Sequence, residues 1–281
     1  MARTLETLVD GLVFPEGPRW RDGRLWLSDM HRGAVLAVDP AGKSEEIVRV
    51  PGSPSGLGWL PDGRLLVVSM TDRRLLRLTD GALETHADLS ELASFHCNDM
   101  VVAAGGDAYV GNFGFDLNAR APQRPAELIR VTPQGVATIV ADALRFPNGC
   151  VITPDGRTLV VAETFGSRLT AFDVADDGGL ASRRTWAQLE GAVPDGICLD
   201  AEGAIWVASP ISNQVLRVQE GGFVSERIPT DQMAIACMLG GDDRRTLFVL
   251  TAPSTDPAEC RERSAARVQT CRVEIPGAGL P

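Results

Sequence analysis

Short apolar runs alternate with turn residues along the whole chain, and one hairpin pattern recurs. Three segments align without gaps: Ser55-Gly-Leu-Gly-Trp-Leu-Pro-Asp-Gly-Arg-Leu-Leu-Val-Val, Asn148-Gly-Cys-Val-Ile-Thr-Pro-Asp-Gly-Arg-Thr-Leu-Val-Val and Asp195-Gly-Ile-Cys-Leu-Asp-Ala-Glu-Gly-Ala-Ile-Trp-Val. Each is an apolar strand, a turn carrying Asp-Gly or Glu-Gly, and a second apolar strand. Glycine takes the positive φ of such a turn at no steric cost. Looser copies begin at Asn98 and Ala236, and a copy with one residue deleted begins at Glu16. The leading positions are therefore 16, 55, 98, 148, 195 and 236, spaced by 39, 43, 50, 47 and 41 residues. Further alternating strands lie between them, at 34–38, 75–78, 128–131, 169–174 and 215–218.

Four short strands per unit of about 40–45 residues is the spacing of a propeller blade. Nothing has the 3.6-residue period of a long amphipathic helix. Length alone would suggest two domains, but the repeat predicts one all-β domain over residues 1–281, a six-bladed β-propeller. Residues 268–275 supply a further strand, and 7–14 pair with them to close the ring. Closure matters because an open ring leaves two unpaired sheet edges.

In a propeller blade the strand entering each hairpin is innermost, and its start faces the axial channel. The six leading residues then form a ring: Glu16, Ser55, Asn98, Asn148, Asp195 and Ala236. Four of them carry carboxylates or carboxamides. Two carboxylates in one narrow channel resist ionising together unless a cation lies between them. Hard oxygen donors with a charge of −2 suit a divalent ion such as calcium, magnesium or manganese; zinc fits an open site, although oxygen ligation does not select it. The competing reading is that Pro147-Asn148-Gly149 and Pro194-Asp195-Gly196 are simply turns. Placement of four such residues at one repeat position favours the metal.

Composition narrows the partners. With 27 Lys+Arg against 37 Asp+Glu the formal charge is −10, which repels polyanions and argues against nucleic acid. Apolar residues make up 44%, enough for a core and against disorder. Residues 1–6 have no apolar stretch of signal-peptide length and no run is long enough to span a membrane, so a cytoplasmic protein is expected, as a monomer or small homo-oligomer. Six cysteines without a Cys-x-x-Cys pair read as free, buried thiols, with Cys260 and Cys271 the one pair worth testing for a bond. Gly-x-Ser-x-Gly is absent, and His31, His86 and His96 are the only histidines for a catalytic triad. His86 is expected to face solvent.

Taken together, Phe14-Pro15-Glu16-Gly17-Pro18, Asn98-Asp99, Phe146-Pro147-Asn148-Gly149 and Pro194-Asp195-Gly196-Ile197 resemble the senescence-marker-protein-30/gluconolactonase/luciferin-regenerating-enzyme family over essentially the whole chain. The resemblance implies a six-bladed propeller with one divalent cation in its channel, calcium first. It puts the metal ligands on Glu16, Asn148 and Asp195, with Asn98 touching metal, water or substrate. It also makes Asp195 the proton acceptor and donor in lactone hydrolysis. An acidic substrate contact falls on Asp116. Where aldonolactone-hydrolysing members often carry Arg, two residues before the Asn, this chain has His96, which is shorter and titrates near neutral pH.

Two connections at the metal end are long, 111–126 and 253–266, and are expected to cover the channel. Phe113, Phe115 and Phe165 lie in the loops at that end and would form an apolar wall; His31 is a further substrate contact. Trp20, Trp26, Trp59 and Trp206 are read as core between blades. The same site could serve hydration, dehydration, isomerisation or organophosphate hydrolysis, and a propeller can also hold a cation structurally and bind a ligand without catalysis. No Gly-His and Trp-Asp repeat of WD40 type is present.

Overall fold

A computed structural model describes residues 3–279. It contains six four-stranded antiparallel sheets. Blade 1 runs through Pro15–Arg21, Arg24–Asp29, Ala34–Val38 and Ser44–Arg49, from the axis outward. Blade 2 uses Pro54–Trp59, Leu65–Ser69, Arg74–Thr79 and Ala82–Asp88, and blade 3 Cys97–Val102, Ala108–Asn112, Ala126–Val131 and Ala137–Leu144. Blade 4 has Pro147–Ile152, Thr158–Glu163, Arg168–Val174 and Leu180–Gln188; blade 5 has Ile197–Leu199, Ile205–Ser209, Gln214–Val218 and Val224–Pro229. Blade 6 is Met233–Gly240, Thr246–Ala252 and Ala266–Arg272, completed on the outside by the N-terminal strand Glu6–Leu12. Each innermost strand touches those of both neighbouring blades, and blade 6 touches blade 1, so the ring is closed as predicted.

Burial follows position in the blade. The second strands are almost wholly apolar and buried, as in Leu65–Ser69 and Ile205–Ser209, whereas the fourth strands alternate outward-facing charges with occasional anchors. In the closing strand Val9 and Leu12 are the buried residues. Trp20 stacks on Phe248 of blade 6, and Trp26 meets Trp59 of blade 2 edge-on. These rings bridge blades as expected, but only Trp206 is sealed; the other three keep part of their surface in solvent. His86 is also only half-exposed, with Nε2 3.1 Å from the Thr132 carbonyl of the next blade, so the expectation of a solvent-facing ring is corrected.

The second long connection holds a helix the periodicity did not announce, Pro257–Arg263, capped by Asp256 accepting from the Ala258 and Glu259 amides. All six cysteines are free; Cys260 and Cys271 do not bond. The two sulfurs that do approach, Cys198 and Cys237, lie 3.9 Å apart on adjacent innermost strands. Among the described residues no helix is long and apolar enough to cross a membrane.

Candidate functional site

The leading residues are not in turns. Five lie inside the innermost strands and Asp195 two residues ahead of one, each at a β-bulge. In blade 1 the pairs Glu16–Ser28 and Arg19–Trp26 enclose one extra residue on the inner strand. The same slip occurs between Pro54 and Leu57, Cys97 and Met100, Pro147 and Cys150, and Ala234 and Ala236. In blade 5 the Asp195 amide donates to the Ala208 carbonyl while the Ala208 amide donates to the Gly196 carbonyl, again two residues against one. A bulge re-aims side chains that strict alternation would send to opposite faces. Six bulges at one level therefore turn a polar ring toward the axis.

Glycine makes the ring tight. A Cβ on Gly149 would lie 2.6 Å from the Ile197 amide nitrogen and 2.7 Å from the Asp195 carbonyl oxygen, so blades 4 and 5 approach backbone to backbone. Gly17 has φ +54° and would likewise strike the Ser55 carbonyl, at 2.7 Å. The residues ending the second strands hold the chain as it enters the ring. Asp29 accepts from the Val13 and Phe14 amides, Glu163 from the Arg145 amide, and the Ser209 hydroxyl from the Val193 amide.

Glu16, Asn98, Asn148 and Asp195 are all buried. Asn148 Nδ2 donates to Asp195 Oδ1 and, at 3.3 Å, to Thr164 Oγ1. Asn148 Oδ1 is buried without a partner. Asn98 Nδ2 donates to the Pro147 carbonyl at 3.2 Å, and Glu16 Oε2 accepts from the Gly17 amide at 2.9 Å. Burial is the first cause that pushes the Glu16 carboxyl well above its ordinary pKa, followed by the charges of Asp195 and Asp99. Burial and Asp99 push Asp195 up to about 8, against the hydrogen bond from Asn148. An unpartnered amide oxygen next to carboxyls that resist ionising is the environment a divalent cation relieves. Among the described residues no three His, Cys, Asp or Glu gather around one point, so any ion here relies on the two amides.

Three members of the site escaped the repeat analysis. Asp99 and Arg19 form a buried ion pair at 3.0 Å just inside the ring, and Arg19 also donates to the Met100 carbonyl. Alternation would place Asp99 opposite Asn98 and Arg19 opposite Glu16; the bulges bring all four inward. Thr164 was also missed.

The remaining predicted contacts are dispersed. His96 is half-buried between Phe95 and Phe113, with ring centroids 4.2 and 6.1 Å away. Burial lowers its pKa, against the pull of Asp116, so the ring is neutral at pH 7. Asp116 caps its own loop by accepting from the Ala119 amide at 2.9 Å. Phe113 stacks on Phe146, which meets Phe165 edge-on, and Phe115 contacts both. The aromatic wall thus exists, centred on Phe146. His31 packs on Phe14, and its backbone carbonyl accepts from Arg261 of helix Pro257–Arg263 at 3.5 Å; burial lowers its pKa to about 4. Burial also pushes the Cys97 thiol up to about 12, far from a nucleophile's.

Known proteins resemble this chain in sequence and fold. A 6-deoxy-6-sulfogluconolactonase of Pseudomonas putida is 26% identical over 297 aligned positions, covering 100% of this chain and 99% of the relative. Regucalcin of Xenopus laevis is 26% identical, with 84% of this chain and 82% of the relative covered. Among solved structures, a gluconolactonase from Xanthomonas campestris superposes with TM-score 0.77 at 25% identity, over 98% of this chain and 90% of that one. A calcium-binding regucalcin from Agrobacterium tumefaciens gives TM-score 0.83 at 23% identity, over 100% and 96%, and speaks for the fold alone. The model of the SMP-30/gluconolactonase/LRE-like region matches residues 14–253, from Phe14 ahead of the first bulge to the last blade. With that span matched, the chain belongs to the SMP-30/gluconolactonase/LRE-like family.

Proposed function

We propose that this protein is a divalent-cation-dependent lactone hydrolase of the gluconolactonase type. One observation carries the reading: Asn148 Oδ1 is buried with no partner, beside Asp195 and in a ring shared with Glu16 and Asn98. The lactonases among the relatives supply the reaction class. Glu16, Asn148 and Asp195 would hold the ion, with Asn98 completing the set. A divalent cation there supplies a Lewis acid that polarises a carbonyl and acidifies water, with calcium the first choice for such oxygen donors.

The chain's own groups do the rest. Asp195, ionised when the site is loaded, takes the proton from the attacking water and returns it to the leaving alkoxide. Thr164 and the Pro147 carbonyl take the Nδ2 groups of Asn148 and Asn98, leaving the two amide oxygens without a partner among the described residues and available to an ion. Neutral His96 offers one N–H to substrate oxygen from the edge of the ring. Phe113 and Phe146 make the adjoining wall apolar, so a less polar lactone than gluconolactone is the better fit.

A pH-stat screen of aliphatic, aromatic and sugar lactones, on chelated protein refilled with calcium, zinc, manganese or magnesium, tests the reading. Turnover should need an ion and should fall at least a thousandfold in Asp195→Asn while the thermal melt is kept. Lactone turnover at a near-normal rate in that variant removes Asp195 from its role, and inactivity on every lactone with every ion removes the lactonase.

A further inference from the structure

A cavity of about 410 Å³ opens between the tops of blades 3 and 4. None of the four ring residues lines it. Its apolar lining is Phe115, Phe146 and Phe165, which pack on one another with centroids 5.0–6.0 Å apart. Its polar lining is mainly arginine: Arg124, Arg145 and Arg168. Arg168 is already committed, binding Glu163 through Nε and Nη2 at 2.9 and 3.0 Å. Arg183 takes the same carboxylate at 3.3 Å, so Glu163 has nothing left to offer the cavity.

Arg124 and Arg145 differ. Among the described residues neither guanidinium makes a hydrogen bond or an ion pair, and both are exposed. Many surface arginines of this acidic chain find carboxylates, as in Arg24–Glu45, Arg184–Asp173 and Arg267–Asp231, whereas Arg120, Arg157 and Arg244, exposed and also without one, do not line this cavity. Two uncompensated guanidiniums over one aromatic cavity form a site of positive potential with a flat apolar floor. A guanidinium fork matches the paired oxygens of an oxyanion, and aromatic faces and edges accept a planar ring. The volume lies within the range of small-molecule sites and holds a one- or two-ring ligand.

We propose that this cavity binds a flat apolar ring system carrying one oxyanion group, a carboxylate or a sulfonate. Arg124 and Arg145 take the oxyanion, and Phe115, Phe146 and Phe165 take the ring. The cavity shares Phe146 with the wall of the lactone site, but none of Glu16, Asn98, Asn148 and Asp195 lines it, and its test involves no turnover.

Isothermal titration with naphthalene-2-carboxylate, naphthalene-2-sulfonate and neutral 2-naphthamide distinguishes charge from ring. Both anions should saturate one site, and the amide should bind at least tenfold more weakly. Arg124→Ala/Arg145→Ala should weaken the anions at least tenfold, about 1.4 kcal/mol, and flatten their salt dependence. Phe165→Ala should weaken all three probes. Neither arginine holds another residue, so the double variant should melt like the parent. Asp195→Asn should bind within twofold of the parent. Absence of saturable anion binding, unchanged affinity in the double arginine variant, or loss of binding in Asp195→Asn would each overturn the proposal, the last by putting the ligand in the axial ring.

Discussion

Replacing Gly149 by alanine probes the seam on which the candidate site depends. The new Cβ would lie 2.6 Å from Ile197 N, 2.7 Å from Asp195 O and 2.9 Å from Gly196 Cα. All three are backbone atoms, so no rotamer change relieves the clash. Ordinary contact begins near 3.4 Å, and the inner strand of blade 5 must retreat by about 0.8 Å to reach it. The Gly149 N–H to Asp195 carbonyl bond, 3.3 Å long, spans the same gap and is lost. Overpacking costs about 1–3 kcal/mol and the bond about 1 more. For a chain of this size that lowers Tm by roughly 5–15 °C. Gly105→Ala is the control, since its Cβ would meet nothing within 4 Å and its φ is not positive; it should stay within about 0.5 kcal/mol.

The second readout separates the seam from stability in general. Asn148 reaches Asp195 across the gap that alanine widens. Calcium affinity, measured by titration well below the variant's Tm, should therefore fall at least tenfold. A Gly149→Ala protein that melts within 2 °C of the parent would refute the packing claim. One that is destabilised but binds calcium normally would refute the claim that this contact sets the ion site.

Further outcomes follow from the same structure. Burial and neighbouring charge push Asp195 up to about 8 and Glu16 well above its ordinary value, so calcium binding there should release protons and affinity should rise with pH up to about 8; titration in buffers of different ionisation heat reads this, and no proton release would contradict it. Burial works to raise the Glu163 pKa, but hydrogen bonds from Arg168, Thr170 and the Arg145 amide hold it below the ordinary range. Its contribution is present above about pH 4.5 and disappears as pH falls through the lowered value. Glu163→Gln should cost about 2–3 kcal/mol at pH 7 and much less at pH 3, by urea unfolding; an equal cost at both would be the wrong answer. Deleting residues 1–12 removes the outer strand of blade 6 with Val9 and Leu12, and should drop Tm by more than 10 °C and promote association through the exposed edge. In denaturant without reductant, all six cysteines should react with a thiol reagent.

The blades were legible because their signals are local. A hairpin turn such as Pro61-Asp62-Gly63 announces itself through Gly63 at φ +88°, and alternation around it fixes which residues share a face. Closure of the ring was legible by counting, since six hairpins leave one strand needed at each end. The helix Pro257–Arg263 was not, because seven residues give too little periodicity to rise above a loop. The bond weighed between Cys260 and Cys271 failed for a related reason: spacing along the chain carries no distance between a helix and a sheet edge.

At the ring, the repeat gave the level but not the full membership. Counting by twos from Asn98 assigns Asp99 to the blade interior, and counting by twos from Glu16 sends Arg19 outward. The extra residue between Cys97 and Met100, and its equivalent between Glu16 and Arg19, reverses both assignments. The glycines that suggested turns were the trace of those bulges, since a residue that lets neighbouring inner strands meet backbone to backbone looks, in sequence, like one that lets the chain fold back. The consequence is electrostatic. The bulges bring Asp99 inward with the other two carboxyls and Arg19 with it; Asp99 and Arg19 pair at 3.0 Å, while the charge of Asp99 still opposes ionisation of Glu16 and Asp195. Removing Asp99 should therefore make the ring carboxyls easier to ionise yet leave Arg19 a buried, unpaired cation pressing on the same channel, so Asp99→Asn, which keeps the shape and a hydrogen-bond acceptor for Arg19, is the variant that separates the two effects.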